Sequence, residues 1–314
     1  MGDHRGGQGV ADRLKYLMSP LDPSRKDDEF IAMESRSFAR EVLSRFCANR
    51  WALAGLLMLS VIVVFAIAGG ILSPYTYAGQ NVAIRNRPPC PAHWFGTDKF
   101  GRDIFTRVMY GARISLFIGI ASTSICAVIG IAYGGASGYM GGRTDLILMR
   151  ICDVLYAIPS LLYIILIMLV FGSNVRSILI GICVSGWVGI ARIVRAQVMS
   201  LKTREYALAA YVLGASGKRI FFRHLLSNSM GPVLVTLTLL IPQTIFMEAF
   251  LSFIGIGISA PQASLGTLAQ EARSTFLAFP SQILFPIALI CLIIFSLTFV
   301  SKGLEEALDP KSRR

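Results

Sequence analysis

Charge is scarce in this chain, and so is histidine. Only 15% of its 314 residues are Asp, Glu, Lys or Arg, against about 25% in an ordinary soluble domain. The three histidines, His4, His93 and His224, lie outside the apolar runs, and none stands at ligand spacing from another His, Cys or carboxylate. That leaves a metal enzyme without support. The six cysteines form no C-x-x-C pair, so they read as small apolar packers rather than a disulfide framework or a metal site. No phosphate-cradling loop of the form G-x-x-x-x-G-K-[ST] is present: Gly217-Lys218 is followed by Arg219, and Val212 stands where the first glycine belongs. Any ATP used must therefore be bound by another chain, and no cofactor is expected. Gly135-Ala136-Ser137-Gly138 and Gly214-Ala215-Ser216-Gly217 have a short G-x-S-G form, but a serine nucleophile needs a base and no histidine falls at membrane depth. Alternating ten-residue segments are missing too, which excludes a transmembrane barrel.

What the chain has is apolar residues, 54% of the total, with a mean hydropathy of +0.62. They fall in blocks of about 20, the length that crosses a hydrocarbon core of about 30 Å as a helix. Six spans are expected: Ala52–Leu72, Ile114–Tyr133, Ile151–Phe171 with Asp153 and Pro159 inside it, Ser177–Val198, Met230–Ile256 with Pro242 and Glu248 inside it, and Ile283–Val300. The first begins too late and runs too long for a cleaved signal peptide, and no A-x-A site follows it. Pro159, Pro242 and Pro286 are expected to kink their helices. Gly130, Gly134, Gly138 and Gly142 recur every four residues and form a smooth stripe for close helix packing.

An even number of spans puts both termini on one side. Of the 30 Lys and Arg, 22 fall in the segments that lie inside if the termini are inside, and eight in the others. The positive-inside rule then places the termini in the cytoplasm. The net charge of +12 is mostly this topology signal, not a nucleic-acid footprint.

Ionisable residues within a membrane span are functional candidates by default. Asp153 follows Arg150 by three residues, so it pairs locally or faces the path. Glu248 lies deeper and either lines a water-filled path or pairs with a polar group on a neighbouring helix. The segment 204–226 is the most informative inner loop. Helix-compatible residues from Glu205 end at Gly214, a natural C-terminal glycine. Ala207, Ala209 and Ala210 leave a thin, smooth surface. That surface suits a groove on another protein or the membrane surface, and on the residues alone both stay open.

Ala209-Ala210, three residues, then Gly214 resembles the "EAA" loop of bacterial ABC importer permeases, E-A-A, three residues, G, nine residues, I-x-L-P. Leu226 matches; Leu208 stands at the Glu position, His224 at the Ile and Ser227 at the Pro. Two further segments resemble the C-type permeases of the dipeptide/oligopeptide/nickel group. His93-Trp94-Phe95-Gly96-Thr97-Asp98-Lys99-Phe100-Gly101-Arg102-Asp103 with Gly111-Ala112-Arg113-Ile114-Ser115-Leu116 is similar to G-T-D-x-x-G-R-D…G-A-R-x-S-L. Glu248-Ala249-Phe250-Leu251-Ser252-Phe253-Ile254-Gly255-Ile256-Gly257 is similar to E-A-x-L-S-F-L-G-L-G. Gly303-Leu304-Glu305-Glu306-Ala307-Leu308-Asp309-Pro310 resembles the group's ending, and Ala263-Ser264-Leu265-Gly266 departs from its usual P-S-W-G.

The resemblance implies an all-α integral membrane protein with the type I ABC importer permease fold and a cytoplasmic coupling helix, in a bacterial inner membrane. It implies a paralogous B-type permease, two ATP-binding subunits and an extracytoplasmic solute-binding protein as partners. It resolves the 204–226 loop in favour of a partner groove, with Glu205, Ala209, Ala210 and Gly214 as the coupling residues and Glu248 and Asp153 on the path. The chain then divides into a cytoplasmic tail (1–51), a first span (52–72), an extracytoplasmic loop (73–112), a permease domain (113–303) and a short cytoplasmic tail (304–314). The long inner tail resembles the oligopeptide branch more than the nickel branch, so peptides are the expected cargo and nickel or another small solute the alternative. A self-sufficient secondary transporter predicts an internal repeat, and none is visible between 52–171 and 177–300.

Overall fold

A computed structural model describes residues 38–309. Residues 1–37 and 310–314, which carry most of the expected N-terminal tail and the last part of the C-terminal one, lie outside the described residues. The regular elements among the described residues are all helical, with no strand among them. They form α1 (Phe38–Ala48), α2 (Arg50–Leu72), α3 (Ile104–Met140), α4 (Gly142–Ala157), α5 (Ser160–Phe171), α6 (Val175–Ser185), α7 (Trp187–Lys202), α8 (Glu205–Val212), α9 (Gly217–Arg219), a π-helical turn (Ile220–Leu226), α10 (Ser227–Ile254), α11 (Leu265–Ala272) and α12 (Ser281–Leu308). Among the described residues five segments are long and apolar enough to cross a membrane, and α4 with α5, bent by 77° at Ile158-Pro159, make a sixth if the pair is one span.

The spans are longer than the apolar blocks. Helix α3 starts at Ile104, ten residues before the expected Ile114, because Asp103 caps it by accepting from the Thr106 amide (2.8 Å). At 1.5 Å per residue its 37 residues reach about 55 Å, well beyond a bilayer core. Helical structure therefore already begins within the 73–112 segment expected to be a loop, at Ile104. The fifth span runs from Gly217 to Ile254, so the second half of the 204–226 loop is the start of a long helix. Likewise α12 continues to Leu308 through much of the expected tail.

Of the three prolines, Pro159 alone marks a break. It holds Ile158 extended (φ −91°, ψ 127°). Pro242 and Pro286 sit inside continuous helices, where one missing backbone bond is absorbed by the helices packed around it. Helices α6 and α7 meet at Gly186, which keeps right-handed helical φ/ψ (−63°, −26°) and donates to the Ile182 carbonyl, so Val175–Lys202 runs on as one span.

The tightest packing joins α3 to α7. A Cβ on Gly130 would meet the Ile190 Cβ at 2.7 Å, one on Gly134 the Ala191 carbonyl, and one on Gly138 the Arg195 carbonyl at 2.8 Å. The stripe thus brings two backbones into contact. Gly142 is not part of it: it meets nothing within 4 Å and, with Gly141, takes positive φ to turn the chain into α4. Gly55 and Gly303 do the same service between α2 and α12, against Phe299 and Ala52. Cys126 and Cys152 are buried as expected of packers, whereas Cys47 and Cys291 are exposed; all six cysteines are free.

Candidate functional site

Helix α8 carries the predicted coupling residues. Its end is a full Schellman cap: Gly214 (φ +80°) donates to the Tyr211 carbonyl at 3.0 Å and Ala215 to the Ala210 carbonyl at 3.0 Å. Gly214 is the residue that turns the chain there. Ala207 is 4% exposed and packs with Val198 of α7 and with Ile220 and Leu225 of the π turn. Glu205, Ala209 and Gly214 are exposed and Ala210 is half-buried. Beyond them Tyr211 (73% exposed), Val212 (82%) and Leu213 (86%) project as an apolar tip. The α8 surface is therefore anchored on one side by a single small residue and open on the other.

A cavity of about 550 Å³ lies where the spans are interrupted. Its wall is the α4–α5 bend (Ile158, Pro159, Ser160), the α6–α7 junction (Ser185, Gly186, Gly189) and the middle of α10 (Gln243, Thr244, Met247). Irregular backbone at membrane depth is tolerated where it lines a cavity. Ser160, Ser185, Gln243 and Thr244 give the wall hydroxyl and amide groups, and no charged side chain lines it. None of these four stood out in the sequence. The available signals were Pro159, the Gly186/Gly189 pair and the Pro242-Gln243-Thr244 run.

The predicted path residues lie elsewhere. Glu248 is 0% exposed. Ser115 of α3 donates to its Oε2 (2.8 Å) and Ser252 to its Oε1 (2.8 Å), and Ser264 donates on to Ser252 (3.2 Å). Of the two readings of Glu248, the structure displays the pairing with a neighbouring helix. Asp153 is exposed and accepts from Arg192 Nη2 of α7 at 2.9 Å, while its expected partner Arg150 is 3.9 Å away. Arg192 in turn lies over the Tyr156 ring at 4.5 Å, and Tyr156 lines the cavity. A second α4–α7 pair went unnoticed in the sequence. Asp145 accepts from Arg195 Nε and Nη2, the latter at 2.6 Å, and from Ser137 at 2.6 Å. Ser137 is thus a structural donor, and the Ser216 hydroxyl caps α9 by accepting from the Arg219 amide (3.4 Å); neither serine of the G-x-S-G pairs has a histidine partner among the described residues.

At the other end, the G-T-D-x-x-G-R-D segment is a clamp. Gly96 and Gly101 take positive φ, and a Cβ on Gly101 would run into the Asn81 carbonyl. Asp98 accepts from Arg102 Nε (2.6 Å) and Arg107 Nη1 (2.7 Å), and Glu271 of α11 accepts from both arginines, from Arg107 Nη1 at 2.7 Å. His93 Nδ1 lies 2.9 Å from the Asp103 carboxylate, a pairing across ten residues that spacing alone did not suggest.

The comparisons agree with this architecture. Residues 127–314 match the family model described as the binding-protein-dependent transport system inner membrane component, and residues 37–89 match the N-terminal TM domain of oligopeptide transport permease C. The chain is 44% identical to the oligopeptide transport system permease protein OppC of Bacillus subtilis (strain 168), over 96% of this chain and 98% of that one. It is 44% identical to the dipeptide transport system permease protein DppC of the same organism, over 92% and 91%. It is 38% identical to the OppC of Haemophilus influenzae, over 91% and 92%. A crystal structure of an amino acid ABC transporter, 16% identical, superposes with a TM-score of 0.50 over 63% of this chain and 92% of that one, which supports the fold. With its matching domain covering more than half of the sequence and relatives of this identity along nearly its whole length, the chain belongs to the binding-protein-dependent transport system inner membrane component family, as a permease subunit of ABC importers.

Proposed function

We propose that this chain imports peptides as the C-type half of a two-permease path, with its termini in the cytoplasm, and that α8 is the contact through which ATPase subunits move it. The observation that carries the reading is the pairing of an exposed apolar tip on α8 with a neutral, broken-helix cavity in the same chain. Hydroxyl and amide groups such as Ser160, Ser185, Gln243 and Thr244 suit the carbonyls and amides of a peptide backbone and make no demand on its side chains. A nickel path would be expected to offer histidines or carboxylates, and neither lines this wall.

In this reading the paralogous permease supplies the facing wall and an extracytoplasmic binding protein docks on the face that carries the 73–103 loop. Closure of the ATPase dimer moves α8, and the two permeases rock about their interface. The permease makes and breaks no covalent bond. Its contribution is a difference in affinity between its two conformations and the states of the motor. Glu205, Ala209, Ala210 and Gly214 form the contact, Asp153 with Arg192 borders the cavity through Tyr156, and Glu248 holds α10 against α3.

The test is co-purification in mild detergent followed by reconstitution with the binding protein. Ala210→Arg inserts normally but loses the ATPase subunits or its peptide-stimulated ATPase activity. Full stimulated activity in that variant, or peptide transport by this chain without a nucleotide-hydrolysing partner, overturns the proposal.

A further inference from the structure

A second large cavity, about 580 Å³, opens on the side of α3 away from the glycine stripe. Its size falls in the range of small-molecule sites, about 300–1,000 Å³. The floor is a four-residue repeat on α3, Val128, Ala132, Ala136 and Met140, and the two alanines give the groove its depth. The facing wall is Lys218, Phe221, Phe222 and Leu226. Apart from Lys218, which belongs to α9, that wall is the π-helical turn Ile220–Leu226, a conformation often found at functional sites.

The groove is apolar along its length and cationic at one end. Lys218 lines it, and Arg219 follows on the same short turn. Neither has a carboxylate partner among the described residues. Nearby Lys202 donates to the Tyr139 carbonyl at 2.6 Å and lies 5.4 Å from the Tyr139 ring. An apolar slot between two candidate spans, with the unpaired Lys218 in its wall and Arg219 next to it in the chain, is complementary to one kind of molecule. That molecule has an acyl chain and an anionic head. Basic pockets between spans hold acidic headgroups in this way.

We infer that this groove is a binding site for an anionic phospholipid, its chain lying along Ala132 and Ala136 and its phosphate held by Lys218 and Arg219. The inference stands apart from the cargo; the proposed orientation only names the leaflet, which is the cytoplasmic one. The site abuts Ala207 of α8 through Ile220 and Leu225, so its occupant stiffens the base of the coupling helix.

The experiment is native mass spectrometry of the complex taken from nanodiscs of equal phosphatidylglycerol and phosphatidylcholine. At least one phosphatidylglycerol stays bound to the wild type. Ala136→Trp, which fills the slot, loses it, and Lys218→Ala lowers its occupancy about fivefold, the effect of one cation near a lipid headgroup. Arg176→Ala, distant in sequence at the start of α6, retains it. Absence of bound phosphatidylglycerol in the wild type, or equal retention in Lys218→Ala, overturns the inference, as does equal loss in Arg176→Ala. So does a photo-crosslink from position 132 that reaches a protein segment, whether the paralogous permease or residues 1–37, instead of lipid.

Discussion

Replacing Gly214 by alanine separates the geometry of α8 from everything else in the chain. Gly214 has φ +80°, and a Cβ built there meets nothing within 4 Å. The substitution therefore adds no clash. It adds only the cost of holding an L-residue in the left-handed region, about 1–2 kcal/mol. An eight-residue helix has little stability of its own, and Ala207 is its one buried side chain. A cost of that size shifts the opening equilibrium of α8 by about 5- to 30-fold while leaving the spans intact. Asparagine tolerates the left-handed region, so Gly214→Asn falls between wild type and alanine. The assay pairs hydrogen exchange across 205–215 with peptide-stimulated ATPase activity in the reconstituted complex. Gly134→Ala is the contrasting variant: its Cβ meets the Ala191 carbonyl, so it separates α3 from α7 and lowers the melting temperature of the whole subunit. If Gly214→Ala leaves both exchange and coupling at wild-type values, or lowers global stability as Gly134→Ala does, the reasoning is wrong.

Two further predictions concern the buried polar groups. Glu248→Gln keeps an acceptor and a donor for the rotatable hydroxyls of Ser115 and Ser252 and is nearly neutral. Glu248→Leu strands both hydroxyls and costs about 1–2 kcal/mol. Thermal unfolding in detergent ranks the pair, and equal stability would show that the serine contacts contribute nothing. Asp98→Ala leaves Arg102 and Arg107, 3% and 1% exposed, sharing Glu271 alone. Breaking a buried pair in this way costs about 3–5 kcal/mol. Limited proteolysis should cut the 73–103 loop faster in that variant; an unchanged rate refutes the clamp.

The sequence shows most where a physical rule acts on consecutive residues. Apolar length located five spans and the bent α4–α5 pair, four-residue glycine spacing marked three of the positions where α3 packs closely, and Gly214 located the end of α8. It shows least where partners are brought together by the fold. Asp153 has a basic residue three positions away, yet it bonds to Arg192, which is 39 residues distant. Asp145 and Arg195 are separated by 50 residues, and nothing local marks either as paired. The cavity follows the same pattern. Intramembrane charge pointed to Glu248, but two serines satisfy its oxygens, whereas the cavity is lined by uncharged Gln243 and Thr244, which hydropathy does not flag.

The arrangement of rigid and broken backbone bears on how a displacement at α8 reaches the cavity. Ala207 rests on Val198 and Ile220, so a push on α8 falls on α7. Helix α7 cannot slide on α3 without lifting off the Gly130–Gly138 stripe, and Arg195–Asp145 and Arg192–Asp153 tie it to α4. These three helices therefore move as one body. That body ends at the Ile158-Pro159 bend of 77° and passes into α6 through the single turn residue Gly186. Both places line the same cavity. Motion of a stiff unit is taken up at its joints, so in the coupling proposed above a stroke applied to the exposed tip is absorbed at the α4–α5 bend, beside the neutral wall.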